Sequence, residues 1–238
     1  MRLILPDRHL SRRKLLQWSG VAGSSLLLNA CGSSWGSTEV GIVTEPFNQT
    51  IQSLMVSQKP IPEFSVSQIE PQALLINSFD ITPTIDPKTF SLSISGEVQQ
   101  PLALSLADIQ SMPLTSMIIS HVCVEGWSAI VQWGGIRLRD LIMLAQPKAG
   151  VRYVYFKSAD GYYESWDLAS AVHPQTLLAY QKNGEPLPIE NGAPLRLASP
   201  IKLGYKQSKW VTEVRLLKDL PADRGYWVNQ GYEWFAGL

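Results

Sequence analysis

Residues 118–127 read Ile-Ile-Ser-His-Val-Cys-Val-Glu-Gly-Trp, a β-branched run that leads into a glycine. Such a run is typical of a short strand that ends in a turn. Because side chains alternate along a strand, we expect His121, Cys123 and Glu125 on one face and Val122 and Val124 on the other. A thiol flanked by an imidazole and a carboxylate can be a nucleophile, a metal ligand or a small buried hydrophobic side chain. The stretch by itself leaves these three interpretations open.

The composition bounds the class of protein. The chain has 238 residues, of which 45% are hydrophobic and 17% charged, enough to build a core and too few charges for disorder. Its formal charge is zero, but basic residues concentrate in the first thirty positions, so the remainder is mildly acidic. This argues against nucleic acid as a partner. The only cysteines are Cys31 and Cys123, which argues against a disulfide framework and a structural zinc site.

Residues 1–31 have the pattern of a twin-arginine signal peptide. The pair Arg12-Arg13 precedes an apolar run at 21–28 that is too short to span a bilayer. Leu28-Asn29-Ala30-Cys31 then resembles a lipoprotein processing site, although Asn29 is unusual there and an ordinary signal-peptidase cleavage nearby is the alternative. We expect export in the folded state to the periplasm or the outer side of the membrane, with a lipid anchor at Cys31.

The rest of the chain divides into a tether and irregular segment (32–76), a folded domain (77–220) and a C-terminal tail (221–238). Alternation at 90–96 predicts a strand, with 102–104 as its hairpin partner and a capped helix at 105–110. Many short strands and few short helices indicate a mixed α+β domain, curled or barrel-like. The other predicted elements are a helix at 138–145, a hairpin of 151–157 and 162–166 around Asp160-Gly161, and strands at 177–181, 195–198 and 210–217.

Several motifs follow in order after residue 157. They are Ser-Ala-Asp-Gly-Tyr at 158–162, Asn-Gly-Glu-Pro-Leu-Pro at 183–188, Asn-Gly-Ala-Pro-Leu-Arg at 191–196 and Lys-Leu-Gly-Tyr-Lys-Gln-Ser-Lys-Trp at 202–210. With Cys-Val-Glu-Gly-Trp at 123–127, this series resembles the molybdopterin domain of the sulfite-oxidase family, and within it the periplasmic methionine-sulfoxide reductases of bacteria. The resemblance covers residues 77–217. It implies a mixed α+β domain that holds molybdenum through one molybdopterin and one cysteine thiolate.

The resemblance also assigns site residues. Cys123 matches the cysteine that binds the metal, and a thiolate is a soft ligand suited to a sulfur-rich metal site. Arg196 matches a pterin-binding arginine, and its planar fork suits phosphate. The run Gln207, Ser208 and Lys209 matches a phosphate-binding loop, with Lys206 close by. The other expected cofactor contacts are Asn77, Phe79, Asp80, Ser158, His173 and Asn191, with Phe79 and Asp80 in place of a tyrosine and a glutamate. We expect His121 to orient the site and Glu125 to bind backbone beside the metal loop.

The resemblance implies an enzyme that reduces a sulfoxide or a related S- or N-oxide, either a small molecule or a protein-bound group. Oxidation of sulfite by the same kind of site is one alternative. A cysteine hydrolase that pairs Cys123 with His121 or His173 is a second, and a non-catalytic surface lipoprotein is a third. Since no Cys-x-x-Cys-His haem motif occurs, we expect electrons to come from a separate partner, such as a haem-bearing membrane protein. A monomer is expected.

Overall fold

Two β-sheets form the framework of the computed structural model, which describes residue 51, residues 56–77 and residues 79–238. The predicted signal peptide, the lipidation site at Cys31 and the Gly/Ser tether lie outside the described residues. None of the helices within the described ranges is long and apolar enough to cross a membrane.

The first sheet has five strands in the order β2-β1-β10-β5-β6. These are β1 (Ser91–Gly96), β2 (Leu102–Ser105), β5 (Tyr153–Ser158), β6 (Tyr163–Asp167) and β10 (Val211–Leu217). β1 and β10 run parallel and the other pairs antiparallel, so the sheet is mixed. The predicted β1–β2 pairing is confirmed, as is the β5–β6 hairpin around Asp160-Gly161, where Gly161 has a φ of 87°.

The second sheet contains the cysteine strand. Its members are β3 (Thr115–Val122), β4 (Ser128–Arg137), β7 (Leu177–Lys182), β8 (Glu185–Pro186) and β9 (Arg196–Ala198). β4 lies between β3 and β7, and β7 also pairs with β8 and β9, all antiparallel. Asn183 and Gly184 both have positive φ and form the two-residue turn between β7 and β8 that the Asn-Gly pair predicts.

The helices are short: α1 (Leu106–Ser111), α2 (Leu138–Leu144), α3 (Leu168–Ala171) and α4 (Tyr226–Asn229). Single 3₁₀ turns occupy Val66–Gln68, Ile189–Asn191 and Gly204–Lys206. The predicted cap of α1 is confirmed, since the Asp108 amide donates to Ser105 Oγ (3.1 Å) and the Ser105 amide donates to the Asp108 carboxylate (2.9 Å).

Buried apolar side chains form two hydrophobic clusters. The larger cluster joins both sheets, with Ile94, Phe156 and Val214 from the first and Leu178 and Leu197 from the second. The smaller one covers the other face of the second sheet, where its members include Met117, Ile119, Val131, Trp133 and Leu74. The architecture therefore confirms the mixed α+β class, with two sheets packed around one core.

Strand β4 is the longest element that the sequence did not predict. Its glycine pair, Gly134-Gly135, is unusual inside a strand. The structure supplies the reason: a Cβ on Gly135 would lie 2.1 Å from the Leu178 carbonyl oxygen of β7. The register between β4 and β7 shifts at this pair. Glycine is required because two backbones approach too closely for any side chain.

The segments expected to flank the domain are parts of it. Upstream, the Phe64 amide donates to the Ile118 carbonyl (3.0 Å) and the Glu70 amide donates to the Ile130 carbonyl (2.9 Å). Downstream, Trp234 and Ala236 are buried, and the indole of Trp234 donates to Ser165 Oγ (2.8 Å). Residues 56–76 and 221–238 therefore pack against the sheets rather than forming a separate tether or tail.

Replacing Gly135 with alanine should lower the free energy of unfolding by about 3 kcal/mol or more, because the clash is with backbone that cannot move independently. Gly134→Ala is the matched control, since its Cβ would meet the flexible end of the Gln181 side chain (2.6 Å to Oε1). Urea unfolding of both variants compares the two. Equal losses would show that the close approach at Gly135 does not constrain the sheet.

Candidate active site

A cavity of about 360 Å³ opens at the end of β3 and is lined by residues from five parts of the chain. These are the N-terminal segment, the turn after β3, the turn between β5 and β6, the region 191–209 and the C-terminal residues around α4. Eight of the predicted site residues lie in its wall: Asn77, Phe79, Cys123, Asn191, Arg196, Gln207, Ser208 and Lys209. His121 and Glu125 also line it.

Cys123 lies in the turn that follows β3. The strand ends at Val122, and the turn is closed by the Cys123 amide donating to the Trp127 carbonyl (2.9 Å) and the Gly126 amide donating to the Cys123 carbonyl (3.2 Å). Gly126 has a φ of 90°, which favours glycine. The predicted strand alternation therefore stops at Val122, and the prediction for Val124 is wrong: the turn brings it to the cavity wall too. The thiol is free and partly buried.

The Glu125 carboxylate connects three side chains at this turn. Its Oε2 accepts from Trp127 Nε1 (2.9 Å), from Asn77 Nδ2 (2.9 Å) and, at 3.5 Å, from Cys123 Sγ. The expected bond to backbone is therefore wrong; the partners are side chains. The indole donor, followed by the Asn77 amide, lowers the pKa of Glu125, so it is ionised at neutral pH. Burial, together with this charge, raises the pKa of the Cys123 thiol.

Part of the cavity wall is cationic. Arg196 is only 4% exposed and forms no ion pair with any described residue. Its guanidinium donates to the carbonyls of Asn191 (2.9 Å) and Leu197 (3.0 Å) and lies 4.6 Å from the centre of the Trp133 ring. Burial lowers the pKa of Arg196 to about 9, so the group stays charged at neutral pH. A buried cation with only carbonyl partners is a strong attractor for an anion.

Lys209 adds a second cation to this wall. Its Nζ donates to the carbonyl of Asn77 and to that of Glu190 (3.0 Å), so it ties the N-terminal segment to the cavity rim. Burial, then the neighbouring Arg196 charge, lowers the pKa of Lys209 to about 8. The two cations therefore repel each other when the cavity holds no anion, and a bound anion would relieve that repulsion.

Two neighbouring residues of the predicted phosphate loop behave differently. Ser208 Oγ is buried and has no hydrogen-bond partner, so it offers an unused polar group to a ligand. The Gln207 amide is already used within the protein, because it accepts from the Ser199 amide (3.1 Å) and donates to the carbonyls of Ser199 (3.0 Å) and Lys202 (2.7 Å). Gln207 therefore holds the loop in its conformation, whereas the Ser208 hydroxyl is available to a ligand.

Four residues predicted at or near the cofactor do not line the cavity. Asp80 is exposed outside the wall, and Ser158 is buried behind it with an unpartnered hydroxyl. His173 is fully buried elsewhere: its Nδ1 accepts from the Gln175 amide (3.2 Å) and its Nε2 lies 3.4 Å from the Lys59 carbonyl. Lys206 points away from the cavity to the Glu164 carboxylate at 2.5 Å.

His121 lies beside the cysteine turn without pairing with the thiol. Its ring stacks on Trp127 with centroids 6.0 Å apart, and its Nδ1 is buried without a hydrogen-bond partner. Burial, with the nearby charge of Arg196, lowers the pKa of His121 to about 3, so it is neutral. The one side chain bonded to Cys123 Sγ among the described residues is Glu125. Neither His121 nor His173 therefore forms a hydrolytic pair with Cys123.

The C-terminal residues contribute cavity walls that the sequence did not predict. Trp227 and Tyr232 line the cavity, as does Tyr205 of the 3₁₀ turn. A local signal was present, because residues 226–235 contain the aromatics Tyr226, Trp227, Tyr232, Trp234 and Phe235. Nothing local, however, places these residues beside a turn that lies a hundred positions earlier.

The domain model of the oxidoreductase molybdopterin-binding domain matches residues 79–227. The chain belongs to this family. It is therefore an oxidoreductase of the sulfite-oxidase type, and the cofactor of its family is a molybdopterin. The cavity fits such an anionic group, since it combines a buried cation without a carboxylate partner, an unpartnered serine hydroxyl and a free thiol.

Related proteins share much of this chain. It is 33% identical to a putative protein-methionine-sulfoxide reductase subunit of Azospira oryzae, over 95% of this chain and 88% of that protein. It is 34% identical to protein-methionine-sulfoxide reductase catalytic subunits of Campylobacter jejuni and Xanthomonas campestris, over 59% and 58% of this chain and about half of theirs (53% and 48%). Sulfane dehydrogenase SoxCD of Paracoccus pantotrophus has a similar fold, with a TM-score of 0.55, 22% identity, and coverage of 58% of this chain and 40% of that one.

Lys206→Met tests whether Lys206 is structural. Burial raises the pKa of Glu164 from 4.5 to about 7 even with the ammonium beside it, and removing the ammonium raises it further. A folded-state pKa above the unfolded value means that stability is present below pH 4.5 and is lost as the pH rises through and beyond 7. We expect Lys206→Met to lower the free energy of unfolding by about 3–5 kcal/mol at pH 8 and by less at pH 5. Urea unfolding at both pH values measures this difference.

Lys218→Met is the control for this variant, since Lys218 pairs with Glu97 at 3.5 Å on the surface. It should change stability by less than about 1 kcal/mol at either pH. If Lys206→Met instead kept its stability and lost molybdopterin, Lys206 would be a cofactor ligand after all.

Proposed function

We propose that this protein is an exported molybdenum enzyme that reduces a sulfoxide to the sulfide. The observation that carries the proposal is the shared cavity, in which the Cys123 thiol faces the same space as the unpaired Arg196 cation and the unpartnered Ser208 hydroxyl. The related proteins from Azospira, Campylobacter and Xanthomonas are all named as methionine-sulfoxide reductases or their subunits.

The residues divide the work of holding one molybdopterin and its metal. Cys123 would bind molybdenum as the thiolate, since a soft sulfur ligand suits this metal and binding removes the thiol proton. Arg196 and Lys209 would bind the phosphate, and Ser208 and Asn191 would donate to or accept from the rest of the cofactor. When bound, the group supplies two-electron redox chemistry. Reduction of the sulfoxide consumes two electrons and two protons, and releases the sulfide and one water molecule.

Glu125 favours a neutral sulfoxide over sulfite. Its carboxylate lies 3.5 Å from Cys123 Sγ and is held ionised by the Trp127 and Asn77 donors. A negative charge beside the metal ligand repels a dianion such as sulfite, whereas it does not repel a neutral sulfoxide. Oxidation of sulfite remains the alternative within the family, and a non-catalytic surface lipoprotein is the alternative of another class.

Electrons would come from a separate subunit, since the related Azospira protein is itself named as a reductase subunit. A haem-bearing membrane protein suits this role on the outer side of the membrane. The twin-arginine pair would export the folded, cofactor-loaded domain, and acylation of Cys31 would keep it beside that partner. The catalytic chain would act as a monomer, on small-molecule or protein-bound sulfoxides.

Assays with a reduced dye on methionine sulfoxide, and with an oxidised dye on sulfite, test the reaction. We expect kcat/KM for methionine sulfoxide to exceed that for sulfite. Cys123→Ser should abolish sulfoxide reduction while the protein stays folded, because an alkoxide is a poor substitute for a thiolate at this metal. A higher kcat/KM for sulfite would show that the enzyme works as a sulfite oxidase rather than as a sulfoxide reductase. Full activity of Cys123→Ser would show that Cys123 is not the metal ligand.

Fractionation of cells that express the full chain tests the export proposal. Arg12→Lys with Arg13→Lys should leave folded protein in the cytoplasm, because the signal depends on the arginine pair. Cys31→Ser should reach the same side as the parent but lose its membrane attachment. Attachment unchanged in the serine variant would exclude a lipid anchor at Cys31.

A further inference from the structure

Residues 225–238, the C-terminal segment, form one wall of the cavity. Trp227 and Tyr232 lie in that wall with ring centroids 5.2 Å apart, and Tyr232 also contacts the ring of Tyr205 at 5.5 Å. The three rings make a continuous aromatic surface from the C-terminal segment to the 3₁₀ turn of Gly204–Lys206.

The segment is fixed in place by the domain beneath it. Lys202 Nζ donates to the Phe235 carbonyl (2.6 Å), and the Leu203 amide donates to the Ala236 carbonyl (3.0 Å). The buried Trp234 indole donates to Ser165 Oγ (2.8 Å). The Tyr232 amide in turn donates to the Trp227 carbonyl (3.0 Å), so the anchored segment holds both rings in place.

Trp227 and Tyr232 are nevertheless exposed to solvent, at 38% and 40%, while Trp234 of the same segment is only 2% exposed. Leu75 and Val124, which line the same cavity, are exposed as well. The cavity wall thus carries two kinds of surface: cations and free polar groups, and aromatic and aliphatic side chains. Exposed apolar side chains grouped beside a site offer a surface to the apolar groups of a ligand.

We propose that Trp227 and Tyr232 are specificity-determining residues that contact the carbon substituents of the sulfoxide. This inference rests on the proposed function, since it assumes a sulfoxide substrate. Aromatic faces bind apolar groups and make favourable contacts with sulfur, so this wall selects sulfoxides that carry large apolar or aromatic substituents. Dimethyl sulfoxide is too small to use much of that surface.

The test compares methyl p-tolyl sulfoxide with dimethyl sulfoxide in the holoenzyme. Trp227→Ala and Tyr232→Ala should each raise KM for the aryl sulfoxide about tenfold, the loss of about 1.4 kcal/mol of contact. Both variants should lower kcat/KM for dimethyl sulfoxide much less than for the aryl sulfoxide, and should leave the molybdenum content unchanged. Trp227→Phe should recover part of the aryl preference. Binding of the product, methyl p-tolyl sulfide, measured by equilibrium dialysis, should weaken in parallel.

Phe64→Ala is the matched control, because Phe64 is an aromatic residue of similar exposure (36%) that does not line this cavity. This variant should have the parent's kcat and KM for both sulfoxides. If the Trp227 and Tyr232 variants have the parent's kinetic constants for both sulfoxides, the inference is wrong and the proposed function stands. The same holds if the variants lose activity on both sulfoxides together with their molybdenum. If the parent enzyme reduces neither sulfoxide, the proposed function fails and this inference fails with it.

Discussion

Arg196 is a buried guanidinium without a carboxylate partner in the described part of the chain, and the organisation of the site depends on it. A charge removed from water costs several kcal/mol unless an opposite charge or several hydrogen bonds replace the lost hydration. Two carbonyls and the face of Trp133 replace only part of it. The rest of the lost hydration energy can be replaced by a bound anion, which explains why a negatively charged cofactor suits this cavity.

The contrast with the other buried cations supports this interpretation. Lys206 and Lys202 are as deeply buried as Arg196, but each has its own carboxylate, Glu164 at 2.5 Å and Asp167 at 3.2 Å. These two pairs lie under the C-terminal segment and hold it in place. The cations that serve the fold thus have carboxylate partners, whereas the cations that face the cavity, Arg196 and Lys209, form no ion pair with any residue that the structure describes.

The sequence predicted the parts of this arrangement that local chemistry specifies. The Asp160-Gly161 and Asn183-Gly184 turns and the Ser105 cap each follow from two or three adjacent residues. The resemblance to the sulfite-oxidase family brought Cys123, Arg196 and Ser208 to one site, and the structure places all three around one cavity. Strand β4 was missed because the reason for Gly135 lies in the backbone of β7. The pairing of Lys206 could not be predicted, since its partner Glu164 lies on another strand. Trp227 and Tyr232 reach the cavity only through long-range packing.

The most direct test of the uncompensated cation is Arg196→Met, measured with and without cofactor. A methionine of similar length packs against Trp133 and removes a charge that costs free energy in the empty cavity. The account predicts that the cofactor-free variant unfolds at the same temperature as the cofactor-free parent or a higher one, while its molybdopterin content falls sharply. A cofactor-free variant that is strongly destabilised, yet still loads molybdopterin as the parent does, would show that Arg196 serves the fold and would contradict the account.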